Sequence, residues 1–240
     1  MTNKKTLTNC LEILQKMLRQ SLCVIFLLTT NSAFAESKFT VVKKPLPDWV
    51  VAKMKKHSWR EGCPVPMEDL TYLYLKHWGY DGKIHDGRLV VHKKVADEMA
   101  AIFKTLFEIR FLIEKMKLIE DYKGSDDASM ADNNTSAFNC REVTGKPGVF
   151  SKHSFGLAID INPLMNPYIF KNEVFPTEGK KYVDRTKKAK GMILKGDVVQ
   201  KAFVKRGWIW GGDWRTVKDY QHFQYEKMID CEFRRLRCDN

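Results

Sequence analysis

Two segments of the sequence carry residue types that could hold a metal ion, and the first spans Ser151 to Asn162. In this segment, S-K-H-S-F-G-L-A-I-D-I-N, His153 and Asp160 lie seven residues apart, and Gly156 between them permits a tight bend. Asp160 interrupts an apolar, strand-like stretch, where a carboxylate is costly unless it is paired, hydrogen-bonded or bound to metal. Spacing alone also fits a surface histidine and an aspartate that caps a turn.

The second segment lies near the carboxyl terminus, in Trp214 to Tyr225, W-R-T-V-K-D-Y-Q-H-F-Q-Y. Its histidine, His222, would complete a set of three protein ligands with His153 and Asp160. Three ligands leave a fourth tetrahedral position for water, as catalytic zinc requires. Asp219, three residues before His222, could then take a proton from that water.

These two segments resemble the signatures of a known enzyme family. The string S-K-H-S-F-G-L-A-I-D-I-N-P resembles the S-x-H-x-x-G-x-A-x-D motif of zinc D-alanyl-D-alanine carboxypeptidases and related L-alanyl-D-glutamate endopeptidases, which include VanY- and VanX-type enzymes and phage endolysins. The later D-Y-Q-H-F is similar to the second family motif, an acid three residues before the last histidine ligand. The likeness extends from about Cys63 to Tyr225. It implies zinc-dependent hydrolysis of peptidoglycan stem peptides, most closely of the carboxypeptidase type.

The resemblance also implies a role for each site residue. It implies one zinc ion per chain, held by His153, Asp160 and His222. It implies that Asp219 is the general base and that Arg141 and Ser151 serve substrate. Arg141, in S-A-F-N-C-R, would face the developing oxyanion or the substrate carboxylate. Ser151 would hydrogen-bond substrate or hold the loop.

Two alternative functions fit the same residues. One is another cleavage within the same chemistry, by an L-alanyl-D-glutamate endopeptidase or a D,D-dipeptidase. The other is a non-catalytic wall-binding protein on the same fold, which the intact set of metal and base residues argues against.

The remaining histidines have no partner at metal spacing, and three tryptophans are expected in the core or the cleft wall. These residues are His57, His77, His85 and His92, and Trp208, Trp210 and Trp214.

Residues 1–35 have the features of a signal peptide. Four basic residues precede the apolar run Leu22 to Leu28, and Ala33-Phe34-Ala35 supplies a small-x-small cleavage pattern. The apolar run is shorter than the roughly 20 residues that span a bilayer. We expect cleavage before Glu36, export to the periplasm or the medium, and no stable membrane span afterwards. An uncleaved membrane anchor is the alternative.

The charge of the chain favours anionic partners. The net charge is +12, and removal of four Lys or Arg residues and one Glu with the leader would leave +9. A basic exported protein suits an anionic polymer or membrane surface, which peptidoglycan peptides and wall polyanions fit. Nucleic acid would fit on charge alone, but export argues against it. The sequence predicts no oligomeric state.

Export also changes the expected state of the cysteines. Four cysteines would remain after cleavage, and an even set in an oxidising compartment predicts two disulfides with three possible connectivities. Cys231 and Cys238 are near neighbours, so we favour that pair together with Cys63 and Cys140.

The elements that must position the site predict a single α+β domain. Residues 36–66 are expected to be irregular because four prolines interrupt them, and 67–240 to form the peptidase domain. A long helical pattern covers 95–119 and predicts one helix, or two, packed on a sheet. A polar loop covers 124–135, and a second helix covers 198–206, ended by Gly207. The family likeness implies helices that flank a small antiparallel sheet.

Overall fold

The computed structural model describes residues 38–143 and 146–226. The proposed leader and the tail with Cys231 and Cys238 lie outside these residues. The described residues from Phe39 onward form one compact unit of short helices and antiparallel sheets, so the predicted α+β class is confirmed. Within the described part of the chain, no helix is long and apolar enough to cross a membrane.

Within the described residues, the strands form three small three-stranded sheets and one two-stranded sheet, all antiparallel. The sheets have the orders β1-β2-β3, β10-β7-β8 and β6-β11-β9, and β4 pairs with β5. The helices are α1 (Asp48–His57), α2 (Ala96–Glu108), α3 (Asp126–Ala131) and α4 (Val198–Val204). The strands are β1 (Val41–Pro45), β2 (Leu70–Trp78), β3 (Ile84–His92), β4 (Glu142–Val143), β5 (Lys146–Phe150), β6 (Ala158–Asp160), β7 (Tyr168–Phe170), β8 (Glu173–Phe175), β9 (Trp208–Trp210), β10 (Lys218–Asp219) and β11 (His222–Tyr225).

The first sheet packs between two helices because β2 alternates its apolar residues between both faces. Leu73 and Leu75 lie in the main core with the apolar stripe of α2, whereas Leu70 and Tyr72 lie in a second core with α1. Successive side chains of a strand point to opposite faces, so one strand can serve two cores. The main core continues into β6 and β11, which gives the candidate site a rigid base.

Two predicted elements need correction first. The segment 36–66 was predicted to be irregular, but its described residues 38–66 contain β1 and α1, because the prolines flank elements instead of breaking them: Pro45 ends β1 and Pro47 precedes α1. The predicted loop 124–135 contains α3, which begins after the side-chain cap Ser125. β1 pairs with β2, so the N-terminal segment shares a sheet with the rest of the fold.

The helix predicted over 95–119 is also too long. It ends at Glu108, and Arg110 has a left-handed φ of 54°. Ile113 and Met116 keep the helical spacing and are buried, but they lie in an extended segment. The backbone N–H of Ile113 donates to the carbonyl of Trp78 at 2.8 Å, so this segment runs beside β2. The second helix, α4, is confirmed, and Gly207 after it has a φ of 85°.

A disulfide joins Cys63 to Cys140, as predicted, across a sequence separation of 77. It ties the segment before β2 to the residue that precedes Arg141. The carbonyl of Cys140 also accepts from Arg60 Nη1 at 3.0 Å, and its N–H donates to the carbonyl of Ser58 at 3.0 Å. The disulfide therefore strengthens a connection that hydrogen bonds already make.

We expect loss of this disulfide to destabilise the fold. Replacing Cys63 and Cys140 together with alanine should lower the free energy of unfolding by about 2–4 kcal/mol, because a long loop is no longer closed in the unfolded chain. Denaturant unfolding of this variant and of the wild-type protein checks the expectation. Equal stability of the two proteins would contradict it.

Candidate metal centre

The pairing of β6 with β11 brings Asp160 and His222 together. The two residues lie directly opposite each other in the antiparallel register, so their side chains project from the same face. The next pair, Ile159 and Phe223, projects from the other face into the core. The apolar residues around Asp160 thus fix the strand, and the strand directs its carboxylate to the site.

His153 reaches the same point from a short 3-10 turn, Lys152–Phe155. The turn ends at Gly156, whose φ of 65° and close approach to β3 leave no room for a side chain: a Cβ would lie 2.5 Å from the backbone nitrogen of His92. Ser151 is buried and caps the turn, where its hydroxyl accepts from the N–H of His153 at 3.4 Å. This contact joins the side chain of Ser151 to the turn that carries His153.

The three predicted ligand side chains converge to hydrogen-bond distances. His153 Nε2 lies 3.2 Å from His222 Nδ1 and 3.2 Å from Asp160 Oδ2, and His222 Nδ1 lies 3.0 Å from Asp160 Oδ1. All three residues are buried. Among the described residues, this is the only group of three or more His, Cys, Asp or Glu side chains close enough to hold a metal ion.

The outer hydrogen bonds of the histidines test whether these residues fit a metal ion. His153 Nδ1 lies 2.5 Å from the carbonyl oxygen of Ala137, which can only accept, so Nδ1 carries the proton. His222 Nε2 lies 3.1 Å from Gln224 Oε1, and the amide of Gln224 is oriented by donation to Glu226 at 2.7 Å. Both inner nitrogens therefore present lone pairs beside a carboxylate. Three converging acceptors repel one another unless a cation lies among them, so the residues fit a metal ion.

The electrostatics of the site also favour a cation. Burial alone would raise the pKa of Asp160, but His153 and His222 outweigh it and hold that pKa well below its ordinary value. Burial alone would lower the pKa of His222, yet the contact with Asp160 outweighs it and raises the pKa to about 8. The site thus attracts positive charge, which a proton or a metal ion can supply.

Asp219 lies at the edge of the same centre and is not among the three converging residues. Its Oδ1 atom is buried and has no hydrogen-bond partner in the described part of the chain. Burial is the main cause that raises the pKa of Asp219 to about 7, and His222 partly opposes it. A carboxylate with this pKa can both accept and release a proton near neutral pH.

Arg141 is held beside the centre by an acid that the sequence analysis did not single out. Its Nη2 atom lies 2.5 Å from Asp126 Oδ2, and its buried Nε atom has no partner among the described residues. The backbone N–H of Arg141 donates to Ser154 Oγ at 2.9 Å, and the backbone carbonyl of Arg141 accepts from that hydroxyl at 2.7 Å. Because Ser154 follows His153, the backbone of Arg141 is fixed to the turn that carries His153.

The remaining histidines and tryptophans take the places expected of them. His85 pairs with Asp81 at 2.9 Å. Within the described residues, none of the four histidines outside the candidate site, His85 included, belongs to a group that could hold a metal ion. Trp208 and Trp210 are buried in the core. Trp214 is partly exposed and its ring centre lies 5.4 Å from that of His222, so it lies beside the candidate metal centre.

Asp126 and Gln224 are the functional contacts that the sequence analysis missed. Gln224 follows His222 by two residues in a strand and therefore shares its face, a signal that could have identified it. Asp126 is separated from Arg141 by a polar segment, and no local pattern links the two residues.

In a comparison with known proteins, part of the chain matches the model of one protein family. Residues 144–225 match the model of the D-alanyl-D-alanine carboxypeptidase family, peptidase family M15. The matched segment contains the turn of His153 and strands β6, β10 and β11, so the predicted resemblance is confirmed. The match supports a peptidase that acts on peptidoglycan. No curated protein and no solved structure is similar enough to the chain to be matched.

Proposed function

We propose that this chain, whose residues 144–225 match the D-alanyl-D-alanine carboxypeptidase family, is a zinc-dependent peptidase that removes C-terminal D-alanine from peptidoglycan stem peptides. The observation that carries the proposal is the convergence of His153, Asp160 and His222, with Asp219 beside them. We infer that the protein acts after export, because its substrate lies outside the inner membrane and the first 35 residues resemble a signal peptide.

The ligand set proposed for zinc is His153 Nε2, His222 Nδ1 and a carboxylate oxygen of Asp160. Two imidazoles and one carboxylate are a donor set found in catalytic zinc sites, which keep one position open. The chemistry that a zinc ion supplies in such a site is polarisation of a peptide carbonyl and activation of a water molecule for attack. The contacts to Ala137 and Gln224 keep both histidines oriented, so that their inner nitrogens face Asp160.

Asp219 is proposed as the general base. It accepts a proton from water as the water oxygen bonds to the carbonyl carbon, and it then delivers that proton to the leaving amine as the C–N bond breaks. The enclosed Oδ1 without a partner and the raised pKa support this assignment. The exchange leaves Asp219 unchanged and converts peptide and water into acid and amine.

Arg141 is proposed to bind the C-terminal carboxylate of the substrate. Its charge lies beside the centre, and its buried Nε is a donor without a partner in the described residues. A cation that recognises a terminal carboxylate favours removal of the last residue over an internal cut. The proposed contact between Arg141 and the substrate carboxylate is the reason for preferring the carboxypeptidase over the endopeptidase alternative.

We expect Arg141→Ala to lower kcat/KM by about 10²-fold, the usual cost of losing one charged hydrogen bond to the reacting substrate. Zinc content should not change, because Arg141 does not contact the ligands. Arg141→Lys should recover only part of the loss, since lysine lacks the planar fork. An unchanged kcat/KM in the alanine variant would remove Arg141 from substrate binding.

Digestion of purified muropeptides tests the cleavage itself. Mass spectrometry of pentapeptide-containing muropeptides should show loss of one D-alanine, with a release that stops when zinc is chelated. A cut between L-alanine and D-glutamate would assign the endopeptidase alternative, and loss of a D-alanyl-D-alanine dipeptide would assign the dipeptidase. Unchanged muropeptides with bound zinc would favour a wall-binding protein.

A further inference from the structure

Three aromatic side chains form a row on one face of the sheet β10-β7-β8. They are Tyr168, Phe170 and Phe175, hereafter the aromatic row. The ring centres of Tyr168 and Phe170 are 6.2 Å apart with planes inclined by only 7°, and those of Tyr168 and Phe175 are 6.0 Å apart. Phe170 is 38% exposed and the other two are partly exposed, so a ligand could reach the row.

The middle ring of the aromatic row, that of Tyr168, lies next to the proposed general base. Asp219 lies opposite Tyr168 in the register of β10 and β7, and Tyr168 lies opposite Phe175 in that of β7 and β8. Residues opposite each other in antiparallel strands project from the same face. Asp219 and the aromatic row therefore share one continuous face that leads away from the candidate metal centre.

The turn that ends this face is tight and carries a lysine where glycine would be easier. Lys171 and Asn172 join β7 to β8, with left-handed φ values of 48° and 67°. A side chain other than glycine costs about 1 kcal/mol or more in this conformation. Lys171 Nζ lies over the ring of Phe170, 5.1 Å from its centre, so the turn sets a positive charge at the exposed end of the row.

We propose that the aromatic row is a subsite for a sugar ring of the peptidoglycan glycan strand, so that the preferred substrate is a stem peptide still attached to its sugars. This inference rests on the proposed function and adds a substrate class to it. The C–H groups on one side of a pyranose ring match the negative faces of aromatic rings. Lys171 would then bind an anionic group next to that sugar.

The size and chemistry of the row favour a sugar over a D-alanine side chain. A methyl group covers only a fraction of one ring, whereas the row extends over three rings about 6 Å apart. The rings of Phe170 and Phe175 offer no hydrogen-bonding groups for a peptide backbone. A flat apolar ligand face satisfies such a surface, and an extended peptide does not.

The test compares one pentapeptide in two forms, free and attached to its disaccharide. The wild-type enzyme should show a kcat/KM about tenfold higher for the attached form, a factor in the range of one aromatic contact. Phe170→Leu keeps an apolar side chain without a flat ring and should remove this preference, with the free peptide cleaved as before. Trp49→Leu is the matched control, because Trp49 is a similarly exposed aromatic residue, at 43%, on helix α1.

A second measurement is independent of catalysis. The peptide-free disaccharide should show saturation-transfer NMR signals with zinc-free wild-type protein, and these should weaken in Phe170→Leu but not in Trp49→Leu. Equal kcat/KM for the two peptide forms in the wild type would overturn the subsite, as would an equal loss on both forms in Phe170→Leu. If neither peptide is cleaved, the proposed function fails, and disaccharide binding alone then decides for or against the subsite.

Discussion

Zinc and peptidase activity should be lost together when His153 or His222 is replaced by alanine. Each change leaves two ligands where the site needs three, and it removes an inner nitrogen that lies about 3 Å from the other acceptors. Metal analysis of the purified variants, alongside muropeptide hydrolysis, measures both effects. Activity should fall to background rather than by a modest factor, because both the metal and its chemistry are removed.

Two control variants sharpen this expectation. His85→Ala removes an exposed histidine outside the site and should change neither zinc content nor activity. Gln224→Ala removes only the outer contact of His222 and should weaken zinc affinity by about 10–100-fold without abolishing binding. Full zinc occupancy in both ligand variants would show that the triad does not hold the metal.

Asp219→Asn should separate catalysis from metal binding. Asparagine keeps nearly the same shape but cannot take a proton, so zinc content should persist while turnover falls by roughly 10²–10⁴-fold, the usual contribution of a general base. Its pH profile should also change. Wild-type activity should rise with pH as Asp219 ionises, because a base acts in its deprotonated form, and this limb should vanish in the variant.

Asp160→Asn should behave in the opposite order. Asp160 contacts both histidines, so its replacement should lower zinc affinity first and activity as a consequence. The two variants are best measured side by side by zinc content and by hydrolysis. Loss of zinc from Asp219→Asn, with zinc and activity retained in Asp160→Asn, would mean that the two carboxylates have exchanged roles.

The three candidate ligands could be identified from the sequence because each of them lies in a pattern that spans only a few residues. Asp160 stands alone in an apolar strand, His153 lies just before a glycine that must turn, and His222 begins a short alternating strand. Each of these patterns reflects a constraint within a few residues. Their meeting point depends on the register between β6 and β11, which only the family likeness supplied in advance.

The errors arose where distant contacts overrode local preference. Residues 109–118 keep a helical spacing of apolar side chains, yet the chain leaves the helix because Trp78 and Asn162 offer its backbone other partners. The Asn162 side chain accepts from the N–H of Glu114 at 3.1 Å, across 48 residues of sequence. The ion pair between Asp126 and Arg141 is likewise a product of the tertiary fold.

The cross-strand position of Asp160 and His222 means that metal affinity is a property of the folded chain alone. The two residues are 62 apart in sequence, so the unfolded chain does not hold them near each other. A ligand that binds only the native state shifts the folding equilibrium by mass action, by about 4 kcal/mol when its free concentration is 1,000 times its dissociation constant. Zinc supply would therefore govern how much of this protein survives proteolysis as well as how fast it works, and a chelator would act as a mild denaturant.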